Sequence, residues 1–223
     1  SIHPASDDRM FVLSWYGNDG LARRISRGEP HKENYRSDDW WYRYLFVDGK
    51  YKSVQDPADQ EATMVPSTYS RWRNYGTLYG VTEYSMVLLT KSLPSLRDGY
   101  SAYLVTHLQT IYYRLAELVL VQRASIQRFS DDITHISKLD GDDPKQAEKA
   151  RLLNRRYIRF VNQIYFREVT PQQQGTEIYD LLQKQARIPN QVTALQEEIE
   201  RLQNYVQQET DRQLLEVEKI RNR

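Results

Sequence analysis

From Tyr100 onward apolar or neutral residues recur at Leu104, Leu108, Ile111, Leu115, Leu118, Gln122, Ile126, Phe129, Ile133 and Ile136, almost entirely in alternating steps of four and three. That spacing lines one stripe of an α-helix over more than thirty residues. At about 1.5 Å per residue such a helix is on the order of 50 Å long. A rod of that length outgrows any small sheet, so the chain must join a compact part to extended helices.

The period before Tyr100 is different. Met10–Trp15 reads as a strand stopped by the turn Gly17-Asn18-Asp19-Gly20, and Trp40–Val47 as a second strand stopped by Asp48-Gly49. Tyr84–Thr90 reads as a third, with Thr77–Val81 beside it. Between them, Asp56-Pro57 to Arg73 reads as a helix and an irregular segment, interrupted at Pro66. The expected class is therefore α+β: a small mixed α/β domain over 1–99, followed by long antiparallel helices over 100–223, in segments 100–139, 144–188 and 190–223.

Asp140-Gly-Asp-Asp-Pro144 predicts a turn, with Asp143 as N-cap and Pro144 as the first helical residue. The next helix presents Leu153, Tyr157, Phe160, Val161 and Ile164 on one face and Arg151, Arg155 and Arg159 on the other. It is interrupted at Thr170-Pro171-Gln172-Gln173, which fits a helix restart with Thr170 as N-cap; Gly175, with no side chain, admits close packing there. The last segment carries Val192, Leu195, Ile199, Leu202 and Val206. A break at Glu209–Gln213 follows, and the seam resumes, shifted, at Leu214, Val217 and Ile220. No C-terminal stop signal precedes Arg223, and the reading frame is expected to run on into two apolar membrane spans.

Composition narrows the chemistry. Lys plus Arg number 31 against 30 Asp plus Glu, a formal charge of +1 that offers little drive toward nucleic acid. There is no cysteine, hence no thiolate nucleophile, disulfide or zinc–thiolate site. The first residues show no basic segment followed by an apolar core, so a cytoplasmic location is expected. The histidines His3, His31, His107 and His135 lack ligand spacing, and no phosphate-loop, dinucleotide or nucleophile-elbow motif occurs, so the chain reads as no enzyme. Seventeen tyrosines and four tryptophans suit a sheet packed under helices or a contact surface. Arg71-Trp72-Arg73-Asn74-Tyr75 has the interleaving of a single-strand stacking surface, but a loop with rings packed on the sheet explains it better. The Asp140 cluster lacks the spacing of a calcium loop and is explained by turn chemistry.

The segments YYRLAELVLVQRASIQRFSDDI (112–133) and RFVNQIYFREVTPQQQGTEIYDLLQ (159–183), with YGTLYGVTEYSMVLLT (75–90), resemble the cytoplasmic region of CorA-like divalent cation transporters. The resemblance implies a homopentamer in which an α/β domain hangs below a funnel of stalk helices, with Asn190–Arg223 as the stalk and Ala147–Ile188 as the neighbouring arm. Neither the membrane spans nor the Gly-Met-Asn motif of that family is present. It further implies a soluble sensing and gating region on the cytoplasmic side of the membrane, its trigger magnesium or another divalent cation. The carboxylates expected as intersubunit ligands are Asp131, Asp132, Glu209 and Asp211. The competing reading is a coiled-coil interaction or signalling module of the same shape, triggered by a nucleotide or a protein partner.

Overall fold

The structure, a computed structural model, describes residues 10–26, 34–139 and 144–221. The fold is α+β, with one four-stranded sheet and long helices. The chain forms two compact units, one from Asp7–Val119 with Glu168–Ala186, the other from Leu120–Arg167 with Arg187–Arg223. The packing thus groups the chain differently from the change of period at residue 100.

The sheet unit contains β1 (Val12–Gly17), β2 (Thr68–Tyr69), β3 (Leu78–Val81) and β4 (Ser85–Thr90) in the order β1-β4-β3-β2. β1 lies parallel to β4 with Val12 opposite Ser85, and β3 lies antiparallel to both β4 and β2. One face is covered by α1 (Asp19–Ser26), α2 (Asp39–Phe46) and α3 (Pro57–Ser67), whose Ile25, Trp41, Leu45 and Met64 pack with Leu78, Val87 and Leu89. At Gly80 a Cβ would stand 2.4 Å from Leu45 Cδ1 and 2.9 Å from Val87 Cγ2, so glycine is what lets α2 approach β3. The opposite face receives Tyr112, whose ring meets Tyr79 edge-on at 5.5 Å, together with α8 (Gln173–Gln185).

Three local expectations are corrected. Trp40–Val47 is not a strand but α2. The Asp38 carboxylate accepts a hydrogen bond from Trp41 N at 2.8 Å as N-cap, Val47 closes the helix in the left-handed region, and Trp41, Tyr42 and Leu45 are buried at helical spacing. Aromatic strand propensity yields here to a cap and a buried helical stripe. The residues after β1 are likewise a helix start: Asn18 Oδ1 accepts from Leu21 N at 2.8 Å. α3 keeps Pro66 in its last turn, and its N-cap Asp56 accepts from Ala58 N and Asp59 N.

The long helix is built from α5 (Tyr103–His107), a π-helical turn (Leu108–Tyr112) and α6 (Tyr113–Ser137). The turn expected at Asp140–Asp143, like His3 and His31, lies outside the described residues; α7 spans Pro144–Gln163. Between α7 and α8 the chain leaves the helix, as a restart requires, but α8 begins two residues later than Thr170-Pro171 suggested. Its N-cap is Gln172, and Thr170 Oγ1 instead accepts from Gln172 N at 3.2 Å. That turn folds back on the helix it precedes: a Cβ on buried Gly175 would lie 2.6 Å from Thr170 Cγ2.

In the helical unit α7 packs along α9 (Ile188–Arg221), which runs without interruption through Glu209–Gln213, where the seam and not the helix was expected to break. Val192, Leu195, Ile199, Leu202 and Val206 are buried, whereas Leu214, Val217 and Ile220 are 60%, 63% and 76% exposed. Phe129 meets Tyr157 and Phe160 edge-on, and Gln122 Nε2 donates to the Ile164 carbonyl at 2.9 Å, tying α6 to the end of α7. Among the described residues no helix is long and apolar enough to cross a membrane.

Candidate functional site

The four expected ligands all lie on helices of the helical unit. Asp131 is exposed on α6, while the neighbouring Asp132 is held between Arg128 Nε at 3.4 Å and Arg156 Nη1 at 3.6 Å. Glu209 lies 3.9 Å from Arg212 Nη1, and Asp211 accepts from Gln207 Nε2 at 2.8 Å. Among the described residues no three acidic or histidine side chains converge as a metal site requires. Within one chain, then, Asp132 has guanidinium partners at the positions a cation would compete for. Around it, Arg159 joins Arg128 and Arg156 at the rim of a cleft of about 280 Å³ floored by Phe129 and Phe160.

The densest polar arrangement is in the sheet unit, where α8 meets the β2–β3 connection. Glu177 of α8 accepts from Tyr69 Oη on β2 and from Arg71 Nη1, and the Arg71 guanidinium lies 5.4 Å from the centre of the Trp72 ring. Trp72 Nε1 donates to Gln174 Oε1 at 3.1 Å. The aromatic and basic residues read as a possible strand-binding surface are thus largely engaged in docking α8.

The Tyr69 hydroxyl holds the Glu177 carboxyl below its ordinary range; burial opposes this shift and Arg71 adds to it. The same contact, after burial, pushes the Tyr69 hydroxyl up. Because the folded-state pKa of Glu177 lies below that of an unfolded glutamate, about 4.3, its contribution is full above that value and is lost as pH falls through the lower one. Glu177→Gln is expected to destabilise the chain by about 1–2 kcal/mol at neutral pH, both partners being partly exposed. Denaturant unfolding at pH 7 and at low pH checks this: the gap between the two proteins should narrow on acidification. A constant gap would mean that the Glu177 charge is not what matters.

Beside this junction is a cavity of about 330 Å³. Trp72 and Tyr75 line it from the β2–β3 connection, Thr77 from the entry to β3, Lys91 and Ser95 from the β4–α4 segment (α4, Leu93–Asp98), Tyr103 and Leu104 from α5, and Gln174 from α8. Gly76, at φ 78°, turns the chain between Tyr75 and Thr77, and a Cβ there would lie 3.5 Å from Lys91 Cγ. Glycine is the residue for which that left-handed conformation carries no steric penalty.

Two buried polar atoms here lack hydrogen bonds of ordinary geometry: Gln174 Nε2 at the cavity wall and Tyr79 Oη on β3. Burial, then the neighbouring Tyr112, pushes the Tyr79 hydroxyl far up, with the nearby Gln174 amide opposing, so Tyr79 stays protonated. The π-helical turn follows α5, which carries Tyr103 and Leu104; such turns recur at functional sites. His107, the last residue of α5, packs against Tyr103 and Tyr112, at 5.2 and 6.1 Å between ring centres.

Sequence reasoning singled out Trp72 and Tyr75 but missed Lys91, Ser95, Tyr103 and Gln174, which come from distant segments and form no local motif. No family model, curated protein or solved structure matches the chain.

Proposed function

We propose that the chain is the sensing and gating region of a CorA-like ion channel or transporter for divalent metal cations, working as a homo-oligomer on the cytoplasmic side of the membrane. The observation that carries this reading is the apolar seam of α9. It is buried as far as Val206 and, beyond the break at Glu209–Gln213, resumes shifted at Leu214, Val217 and Ile220, which no described residue covers. A second copy of the same helix is a partner that such an uncovered apolar stripe fits, and symmetric self-association closes it. Sensing has a route in the chain: α8, held to the sheet by Glu177, leads into α9 through Ala186 and Arg187 alone, and Arg187 adopts a left-handed conformation, φ 56°.

The expected trigger is magnesium or another divalent cation held between protomers by Asp131, Asp132, Glu209 and Asp211. A cation that binds only the folded assembly raises its stability by about 2.7 kcal/mol at a hundredfold excess over its dissociation constant. Sedimentation and thermal unfolding in millimolar magnesium and in chelator, with Asp131→Ala, Asp211→Ala and Leu214→Glu/Val217→Glu variants, make the test. The expected results are an oligomer dissolved by the seam substitutions and a magnesium-dependent stability lost in the alanine variants. A monomer at all concentrations sinks the assembly. An oligomer indifferent to magnesium favours the second reading, a module of the same architecture with a non-metal trigger, to which the arginine-held Asp132 already points.

A further inference from the structure

The cavity beside α8 combines features that the docking of α8 does not use. Trp72, Tyr75 and Tyr103 are 36%, 70% and 53% exposed, and they gather at the walls of one cavity instead of being scattered singly. Lys91 lays its aliphatic stem across Gly76 and makes no ion pair among the described residues. The Asp19 carboxylate feels its charge but is already engaged by the Ser92 amide and the Ser92 and Ser95 hydroxyls. Thr77 is buried at the cavity wall, and its hydroxyl has no hydrogen-bond partner among the described residues. Gln174 accepts from Trp72 through its amide oxygen, and its amide nitrogen is buried beside the Tyr79 hydroxyl, so it is a wall of the cavity and not a donor open to it.

Aromatic walls suit a flat ring, and an ammonium with no ion pair among the described residues asks for an anion. At about 330 Å³ the volume is at the small end for ligand sites, which suits one nucleotide and not a dinucleotide.

We propose that this cavity binds a nucleoside monophosphate, its base lying against the Trp72, Tyr75 and Tyr103 rings and Lys91 facing the phosphate. The site lies wholly within the sheet unit and does not depend on self-association. Occupation sets the position of Gln174 in the first turn of α8, so the ligand acts on the element that leads into α9.

The test is isothermal titration of the chain with AMP, GMP, CMP and UMP separately, with adenosine, inorganic phosphate and a 5′-phosphorylated hexanucleotide as the other arms. At least one monophosphate is expected to saturate one site per chain. Adenosine should bind about tenfold or more weakly than AMP if AMP is that ligand, and phosphate alone should not saturate. Lys91→Met should weaken the monophosphate about tenfold while leaving adenosine unchanged, and Lys91→Arg should restore most of the loss; circular dichroism confirms that both variants are folded. The proposal is overturned if no monophosphate saturates at millimolar concentration, or if folded Lys91→Met binds as the parent does. It is also overturned if the hexanucleotide binds more tightly than any monophosphate, which would make the surface one for nucleic acid. Failure here leaves the assembly and magnesium results standing, because those are read on α9 and on other residues.

Discussion

Trp41→Ala is expected to lower the unfolding free energy by about 3–5 kcal/mol, read as a shift of the denaturant midpoint with little change in slope. Trp41 is wholly buried, in the layer between α2 and the sheet where Leu45 and Val87 crowd the backbone at Gly80. Its loss opens a cavity that the close approach of α2 to β3 leaves little room to collapse. It also removes the donor to Thr68 Oγ1, at 3.0 Å, although Thr68 keeps its own bond to the Met64 carbonyl. Arg43 discriminates between the helix and the strand that aromatic composition suggests. In a strand, Arg43 would share the buried face of Trp41 and Leu45, since alternate residues face together. In α2 it stands apart from that face and only partly buried, so Arg43→Ala should change stability by less than about 1 kcal/mol. Equal losses at both positions would refute the helix.

The long-range periods were the legible part of this chain. The short apolar run Tyr84–Thr90 reads as a strand and the run of steps from Leu104 to Ile136 as one helical stripe, and burial is what the structure delivers at Met86, Val87, Leu88 and Leu89 on both faces of β4 and at Leu115, Ile126 and Phe129. Local signals misled where two principles competed. Trp40–Val47 has strand composition, but Asp38 in front of it is a cap, and the cap with the buried Trp41–Leu45 pair decided the outcome. Thr170-Pro171 has the composition of a helix start, yet the Thr170 hydroxyl bonds to Gln172 N and moves the start onward. The break read after Val206 was one of the seam and not of the helix: α9 runs on while burial ends at Val206, because a heptad shift alters which side of a helix is apolar without removing any backbone bond. The candidate cavity was legible only in its rings. Lys91 and Gln174 stand more than eighty residues apart, and only the packing of α8 beside the sheet brings them to one wall. Acidic pairs such as Asp131-Asp132 likewise say nothing about Arg156 on the next helix, which decides the surroundings of Asp132.

Phe160→Ala should destabilise the helical unit by about 3–5 kcal/mol. Phe160 is 2% exposed and its ring contacts Phe129 at 5.5 Å, Tyr157 at 6.4 Å and Tyr165 at 6.3 Å, so its removal takes the centre out of the aromatic layer between α6 and α7. Hydrogen exchange reads the result: protection should fall along α7 and the Val192–Val206 stretch of α9, which packs on it. The contrast with Arg156→Ala carries the functional point. Arg156 is mostly exposed and its contact with Asp132 is a 3.6 Å ion pair, which in such surroundings is worth about 0–1 kcal/mol. The two substitutions touch the same cleft and should differ severalfold in cost. If they do, the rings hold the helices together while the arginines only occupy Asp132, and a cation presented with further oxygens from another protomer can displace them at little expense to the fold. If Arg156→Ala proves as damaging as Phe160→Ala, the Asp132 pair is a structural lock, and Asp132 must be struck from the intersubunit ligands.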